Sequence, residues 1–428
     1  MSQRYSAIDP QFFIENREAL ISQILPGSFC VLHSNDVMPR NGDCFHKYRQ
    51  QSDFFYLTGI DQEESVLVIH PEINQGNGIS TLYLKKTNDI IRVWEGEKFS
   101  HAEASLVSGI GKVKWLSDLS SDLKLLEKSH ENCYRNIPLE KIESTRLLDR
   151  NQRINPFGEN SSVGELSLKP ILESLRVIKS ATEISLIEKA CSITKGAFAR
   201  VLKTVKPGKW EFELEAEISH EFTVKRANGH AYSPIVASGG NSCVLHYIEN
   251  NSQMNDGDIL LLDFGAEYAN YASDLSRTIP VNGQYTKRQK EVYNAVLSVF
   301  KFAKELMLPG VLFKDIQSGV VEEMTKQLVD LRLISMRELE KQSKGDPLYK
   351  KYFMHGIGHF MGMDVHDVGD RNKKLTAGMI LTCEPGIYIA EENLGIRIEN
   401  DILIQKEGNT DLMTSIPIES DEIEGLMH

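Results

Sequence analysis

Ile259-Leu-Leu-Leu-Asp263-Phe-Gly-Ala-Glu-Tyr-Ala-Asn-Tyr-Ala-Ser-Asp274 is the stretch from which the rest of the chain can be read. Four aliphatic residues in a row form a candidate buried strand, and they carry Asp263 into apolar surroundings. The next candidate strand, Ala272 to Pro280, contains Asp274, eleven residues on. With a two-residue hairpin turn at Tyr268-Ala269, 267 pairs with 270, 266 with 271, and Asp263 faces Asp274 with Cβ atoms about 5 Å apart. Two ionised carboxylates placed so destabilise a sheet, and burial aggravates it unless a proton or a cation lies between them. A cation is the more economical solution. The competing reading has Asp263 capping a turn and Asp274 in a loop.

Further along, His355 to Gly369 reads HGIGHFMGMDVHDVG, with His355, His359, Asp364, His366 and Asp367 within thirteen residues and four glycines that let backbones approach. Histidines this dense beside acids point to a site rather than to separate core positions. The glycines argue against a helical pair of zinc ligands. Next, Met379 to Cys383 reads as a buried strand that delivers Glu384 at its end, with Cys383 pointing the other way into the core. In Ile396-Arg397-Ile398-Glu399 the period of two puts both isoleucines on one face and Arg397 with Glu399 on the other. Asp263, Asp274, His359, Glu384 and Glu399 together make four carboxylates and one imidazole, hard ligands suited to a pair of ions such as Mn2+ better than to sulfur-bound zinc. Two ions about 3.5–4 Å apart can share carboxylates and hold a hydroxide that attacks a carbonyl, which is the chemistry of an amide hydrolase.

Other motifs fail. His220-Glu221 opens an H-E-x-x-H pattern, but Val224 fills the second ligand position. No G-x-S-x-G elbow occurs, and Gly356-x-Gly358 with Gly362 misses the dinucleotide spacing by one residue.

The frame around these residues follows from composition. At 428 residues the chain is longer than one core usually serves, so two domains are expected, and 41% hydrophobic with 25% charged residues is ordinary globular composition. A formal charge of -12 without a basic run disfavours nucleic acid. The start MSQRYSAIDP has no apolar h-region and no run is long enough to span a bilayer, so a soluble, cytoplasmic protein with no membrane partner is expected. Six cysteines without a C-x-x-C pair read as reduced and buried.

Residues 1–165 alternate short apolar strands (Val66–Ile69, Thr81–Leu84, with turn residues at 75–78) and helices, an α/β domain closed by a polar loop at 151–164. Residues 166–428 read as α+β. Ser180 with Glu183 is a capping box before the stripe Ile184, Ile187, Cys191, Thr194, Phe198, Val201, a second helix follows near Phe212 to Phe222, and then strands at 233–238, 258–266, 272–280, 379–384 and 396–404 form an antiparallel sheet.

With these residues assembled, the chain resembles the proline-specific pita-bread metallopeptidases, and within them the aminopeptidase P group. The likeness runs from Asp53-Phe-Phe-Tyr-Leu-Thr-Gly59 to Gly395-Ile-Arg-Ile-Glu-Asn400, and all five ligand positions hold the family's residue types. The resemblance implies that Asp263 chelates one ion, Asp274 and Glu399 bridge, and His359 with Glu384 holds the second. It further implies that Glu384 takes the proton of the bridging water, His366 supports the tetrahedral intermediate, His246 contacts the substrate carbonyl, and Tyr232, His355 and Arg397 line the proline side. It carries two Mn2+ ions, peptide substrates with proline second, and a homo-oligomer, dimer or tetramer, in which Trp94 walls a neighbour's site. HGIGH suits dipeptide-cleaving prolidases as well, so peptide length stays open.

Overall fold

The computed structural model describes residues 4–71, 78–136, 163–343 and 345–427. The chain divides into two compact units, Met1–Leu175 and Arg176–His428. The division falls after 175 rather than after 165, because Gly164–Ser167 is a strand that pairs in parallel with Asn132–Arg135 and so belongs to the first unit's sheet. Residues 151–162 of the expected linker loop and the turn before Gly78 lie outside the described residues, and Gly164, the loop's expected end, opens a strand.

The first unit is α/β. Its six-stranded mixed sheet runs in the order Lys112–Trp115, Gly78–Leu84, Val66–Pro71, Ser28–His33, Asn132–Arg135, Gly164–Ser167. Ser28–His33 sits inside the sheet and all six of its residues are buried, as a strand covered on both faces must be. Phe29, Val31, Val66, Val68 and Tyr83 pack from the sheet against Leu119 and Leu123 of the helix Leu119–Ser129.

In the second unit the capping box is present: Ser180 accepts from the Glu183 N–H, and the Glu183 carboxylate accepts from the Ser180 N–H at the head of Ala181–Thr204. That helix lies on the hairpin 266–272, and Lys287–Leu306 packs on Ile380–Cys383, Gly386–Ile389 and Leu394–Arg397. Every strand pair among this unit's described residues is antiparallel. The α+β expectation holds.

The hairpin turn sits one residue later than expected. Tyr268 pairs with Tyr271, and the turn residues are Ala269 and Asn270, at φ 51° and 64°. Both lie in the left-handed region that a tight two-residue hairpin turn uses, where Asn is tolerated well. The register therefore moves by two, so that Asp263 faces Ser276 and not Asp274. A shift of two keeps every side chain on its face, so Asp263 and Asp274 still project to the same side. Gly265 makes the approach possible, since a Cβ there would lie 1.6 Å from the Ser273 carbonyl oxygen.

The long strands read from sequence are each cut short. Asp263 is the last residue of Ile259–Asp263, Asp274 lies between Tyr271–Ala272 and Ser276–Pro280, Glu384 follows Ile380–Cys383, and Glu399 lies between Leu394–Arg397 and Asn400–Ile404. Each carboxylate thus stands at an end or a gap of a rigid apolar element, Asp263 as the last paired residue of its strand and the other three outside the strands. All six cysteines are free, but Cys44 is exposed and Cys243 half-buried, which corrects the expectation that all are buried.

Candidate active site

Ile357 to Met361 forms no helix. It runs along the edge of Ile380–Cys383, where the Glu384 N–H donates to the Ile357 carbonyl (2.8 Å), Thr382 to His359 (2.9 Å) and Met361 to Ile380 (3.1 Å). Gly358 is required at this seam, because a Cβ would meet the Thr382 carbonyl oxygen at 2.1 Å. The seam sets His359 beside Glu384. The His359 Nε2 lies 3.5 Å from Asp274 Oδ2 and 3.8 Å from Glu384 Oε1. Its Nδ1 can only donate to the Phe360 carbonyl (3.1 Å), so in the neutral ring Nε2 carries the lone pair toward the acids.

Asp274, His359 and Glu399 each offer a ligand atom within 4.8 Å of the others. Arg397 Nη2 donates to Asp263 Oδ2 (2.6 Å), and the Tyr232 hydroxyl bonds Asp263 Oδ1 (2.7 Å) and also Asp274 Oδ1. One phenol proton cannot serve two ionised carboxylates. Glu399 Oε2 accepts from the Ser276 hydroxyl (2.7 Å), while its Oε1 is buried without a partner.

The electrostatics report the same deficit of positive charge. Burial, then the charges of Asp274, Glu384 and Asp263, raise Glu399 well above the usual carboxylate range. Burial also raises Asp274, and it lifts Glu384 to about 7 with the help of the neighbouring acids and against His359 and Arg397. Burial would lower His359, but the hydrogen bond and charge of Asp274 with the charge of Glu384 outweigh it and hold the imidazole at about 9. Four clustered acids with one unsatisfied oxygen and no cysteine among them fit hard divalent cations. Cys383 faces away, its thiol toward the Phe300 carbonyl at 3.9 Å.

Tyr232, His246, His355, His366 and Arg397 join Asp263, Asp274, His359, Glu384 and Glu399 on the wall of one cavity of about 550 Å³, so the ten residues to which the resemblance gave a role in the chain's own site meet there. His355 is pushed down to about 4 by burial and then by Arg397. Its Nδ1–H donates to the Gly356 carbonyl (2.8 Å), which leaves Nε2 to accept from the Tyr388 hydroxyl (2.8 Å), itself the acceptor of Arg397 Nη1 (2.8 Å). The His366 ring stands edge-on to His359 at 4.3 Å. Asp367 also lines the cavity, but its carboxylate and that of Asp364 are engaged by cations: both pair with Arg176 (2.5 and 2.9 Å), and Lys179 adds to Asp367 (3.1 Å).

Four contributors escaped the sequence reading. Tyr388 links Arg397 to His355, Ser276 bonds both Glu399 and the Arg397 Nε, Thr382 donates to Glu384 Oε1 (3.5 Å), and Asp401 accepts the Asp274 N–H (3.1 Å). Ser276 alone had a signal, since the true hairpin register places it opposite Asp263.

A cavity that sets carboxylates, an imidazole and unpaired buried oxygen around space for cations defines a metal-dependent hydrolase. Metallopeptidase family M24 matches residues 185–406, and the N-terminal domain of aminopeptidase P matches residues 13–134. The chain is 35% identical to the Xaa-Pro aminopeptidase of Escherichia coli over 439 residues, covering 99% of this chain and 98% of that one. It is 34% identical to the Haemophilus influenzae Xaa-Pro aminopeptidase, covering 97% of each. Among solved structures, a variant of Escherichia coli aminopeptidase P in complex with substrate aligns with TM-score 0.90 at 33% identity over 99% of both chains. The same enzyme with the inhibitor Pro-Leu aligns with TM-score 0.89 at 34% identity over 99% of both. The chain belongs to metallopeptidase family M24, with an aminopeptidase P N-terminal domain.

Proposed function

We propose that the chain is an Xaa-Pro aminopeptidase that releases the N-terminal residue from peptides with proline second, working with two divalent cations, most simply Mn2+. The observation that carries this is the meeting of all ten residues on one cavity wall, in a chain similar over almost its whole length to Xaa-Pro aminopeptidases. Asp263, Asp274, His359, Glu384 and Glu399 would hold the ions, which when bound supply Lewis acidity to the scissile carbonyl and lower the pKa of water. Glu384 is assigned the proton acceptor, oriented by the Thr382 hydroxyl. His366 and His246 are assigned to the substrate oxygen. Arg397, clamped between Asp263 and Tyr388, keeps Asp263 aimed while neutral His355 and Tyr232 face the proline side.

Incubating the metal-loaded protein with Xaa-Pro, Xaa-Pro-Xaa and Met-Ala-Ser peptides should give fastest release from Xaa-Pro-Xaa. Preference for Xaa-Pro would make the chain a prolidase instead, and preference for Met-Ala-Ser would move it to methionine removal.

We further assign a homo-oligomer, dimer or tetramer. The helix Asp89–Trp94 exposes Ile90, Val93 and Trp94 at 70%, 79% and 82%, an apolar face that a second copy would cover. Trp94→Ala should shift sedimentation toward smaller species with an unchanged melting temperature, and an unaltered assembly would remove Trp94 from the interface. No helix among the described residues is long and apolar enough to cross a membrane. Six unpaired thiols support the cytoplasm, a reducing compartment, as the location.

A further inference from the structure

The segment 244–252 enters no strand or helix, yet its tip supplies Leu245, His246 and Ile248 to the cavity wall. Backbone bonds hold its two ends, the Val244 N–H donating to the Asn241 carbonyl (2.9 Å) and the Glu211 N–H to the Ser252 carbonyl (3.0 Å), and side chains fix the stretch between them. Glu211, the first residue of the helix Glu211–Val224, is fully buried and does not itself line the cavity. Its Oε1 accepts from the Ser238 N–H (2.7 Å), the Ser238 hydroxyl (2.7 Å) and the Asn241 amide (3.1 Å). Its Oε2 accepts from the Ser252 N–H (2.9 Å) and the Tyr247 hydroxyl (2.8 Å). One carboxylate therefore ties together the chain entering the loop, the chain leaving it, and Tyr247, the residue next to His246. Five donors converge on two oxygens, which a carboxylate can satisfy and an amide, with its own N–H2, cannot.

We propose that Glu211 is a positioning residue, holding the 238–252 loop through Tyr247 so that His246 stands at the substrate. This rests on the substrate role assigned to His246 above. Misplacing a catalytic loop by about 1 Å can cost on the order of 10²-fold in rate.

The test is a double-mutant cycle on the metal-loaded protein, with kcat/KM on an Xaa-Pro-Xaa peptide, metal content and melting temperature measured on each preparation. Glu211→Gln should lower kcat/KM by about 10-fold to 10²-fold with metal content unchanged, and Tyr247→Phe should lower it less. In a His246→Ala background both should change kcat/KM by less than about twofold, because the group they position is gone. Equal losses in the two backgrounds would overturn the proposal and leave Glu211 a merely structural acid. If Glu211→Gln does not fold, Tyr247→Phe, which removes one donor of the five, decides by the same comparison. Wild-type activity in His246→Ala would overturn both the role of His246 and this inference, whereas a damaged His246→Ala with additive Glu211 losses overturns the inference alone.

Discussion

Asp274→Ala is expected to lose at least one equivalent of metal and nearly all turnover, while the metal-free protein melts at or above the wild-type temperature. Asp274 is 4% exposed, shares Tyr232 with Asp263, and contributes to the raised titration of both Glu399 and Glu384. In the metal-free state its charge is a burden on the fold, because burial and the Asp263 charge both oppose it. Its removal relieves that repulsion at the expense of the contact with His359, which then loses the partner that holds its imidazole at about 9. With metal present the balance should reverse, since the proposed ligand set would lack one of its four carboxylates. Elemental analysis and calorimetry on one preparation check both halves. Full metal content in a folded Asp274→Ala protein would exclude a bridging role.

His366→Ala should bind metal and fold normally but turn over more slowly by roughly 10²–10³, about 2.7–4 kcal/mol, the usual cost of losing one donor to a developing oxyanion. The loop does not depend on the imidazole for its position: Asp364 and Asp367, on either side, are anchored by Arg176 and Lys179, and the Asp367 N–H donates to the Phe360 carbonyl (2.9 Å). A donor that acts on the transition state lowers kcat more than it raises KM. A packing role predicts the reverse pattern, a lower melting temperature with near-normal kcat. Loss of metal in this variant would mean that the ligand set is wrong.

The candidate ligand positions were legible from apolar runs, one period-two alternation and the dense histidines of 355–366. Four aliphatics before Asp263 and five buried residues before Glu384 mark acids driven to the ends of apolar elements, and the alternation at 396–399 puts Arg397 and Glu399 on one side. Parity explains why an error in the hairpin turn did no harm: a register displaced by two residues moved the partner of Asp263 from Asp274 to Ser276 but left both acids on the same face. What period counting cannot foresee is where a strand stops. The gaps at 273–275 and 398–399 are made by tertiary contacts, such as the Asp274 N–H on Asp401 and the Glu399 N–H on the Ser276 carbonyl (3.0 Å), between segments more than a hundred residues apart. Tyr388 and Thr382 were invisible because each looks like an ordinary strand residue until its partners are known, Arg397 and His355 for Tyr388 and Glu384 for Thr382. The boundary after 175 depended on a strand, Gly164–Ser167, with no apolar alternation to announce it.

The claim that the site cuts before proline is tested most directly by the initial rate of N-terminal residue release from a matched pair, Ala-Pro-Ala and Ala-Ala-Ala, by the same Mn2+-loaded preparation. Rapid release from the proline peptide with little from the alanine peptide is the predicted result. Equal rates on the two peptides would contradict it.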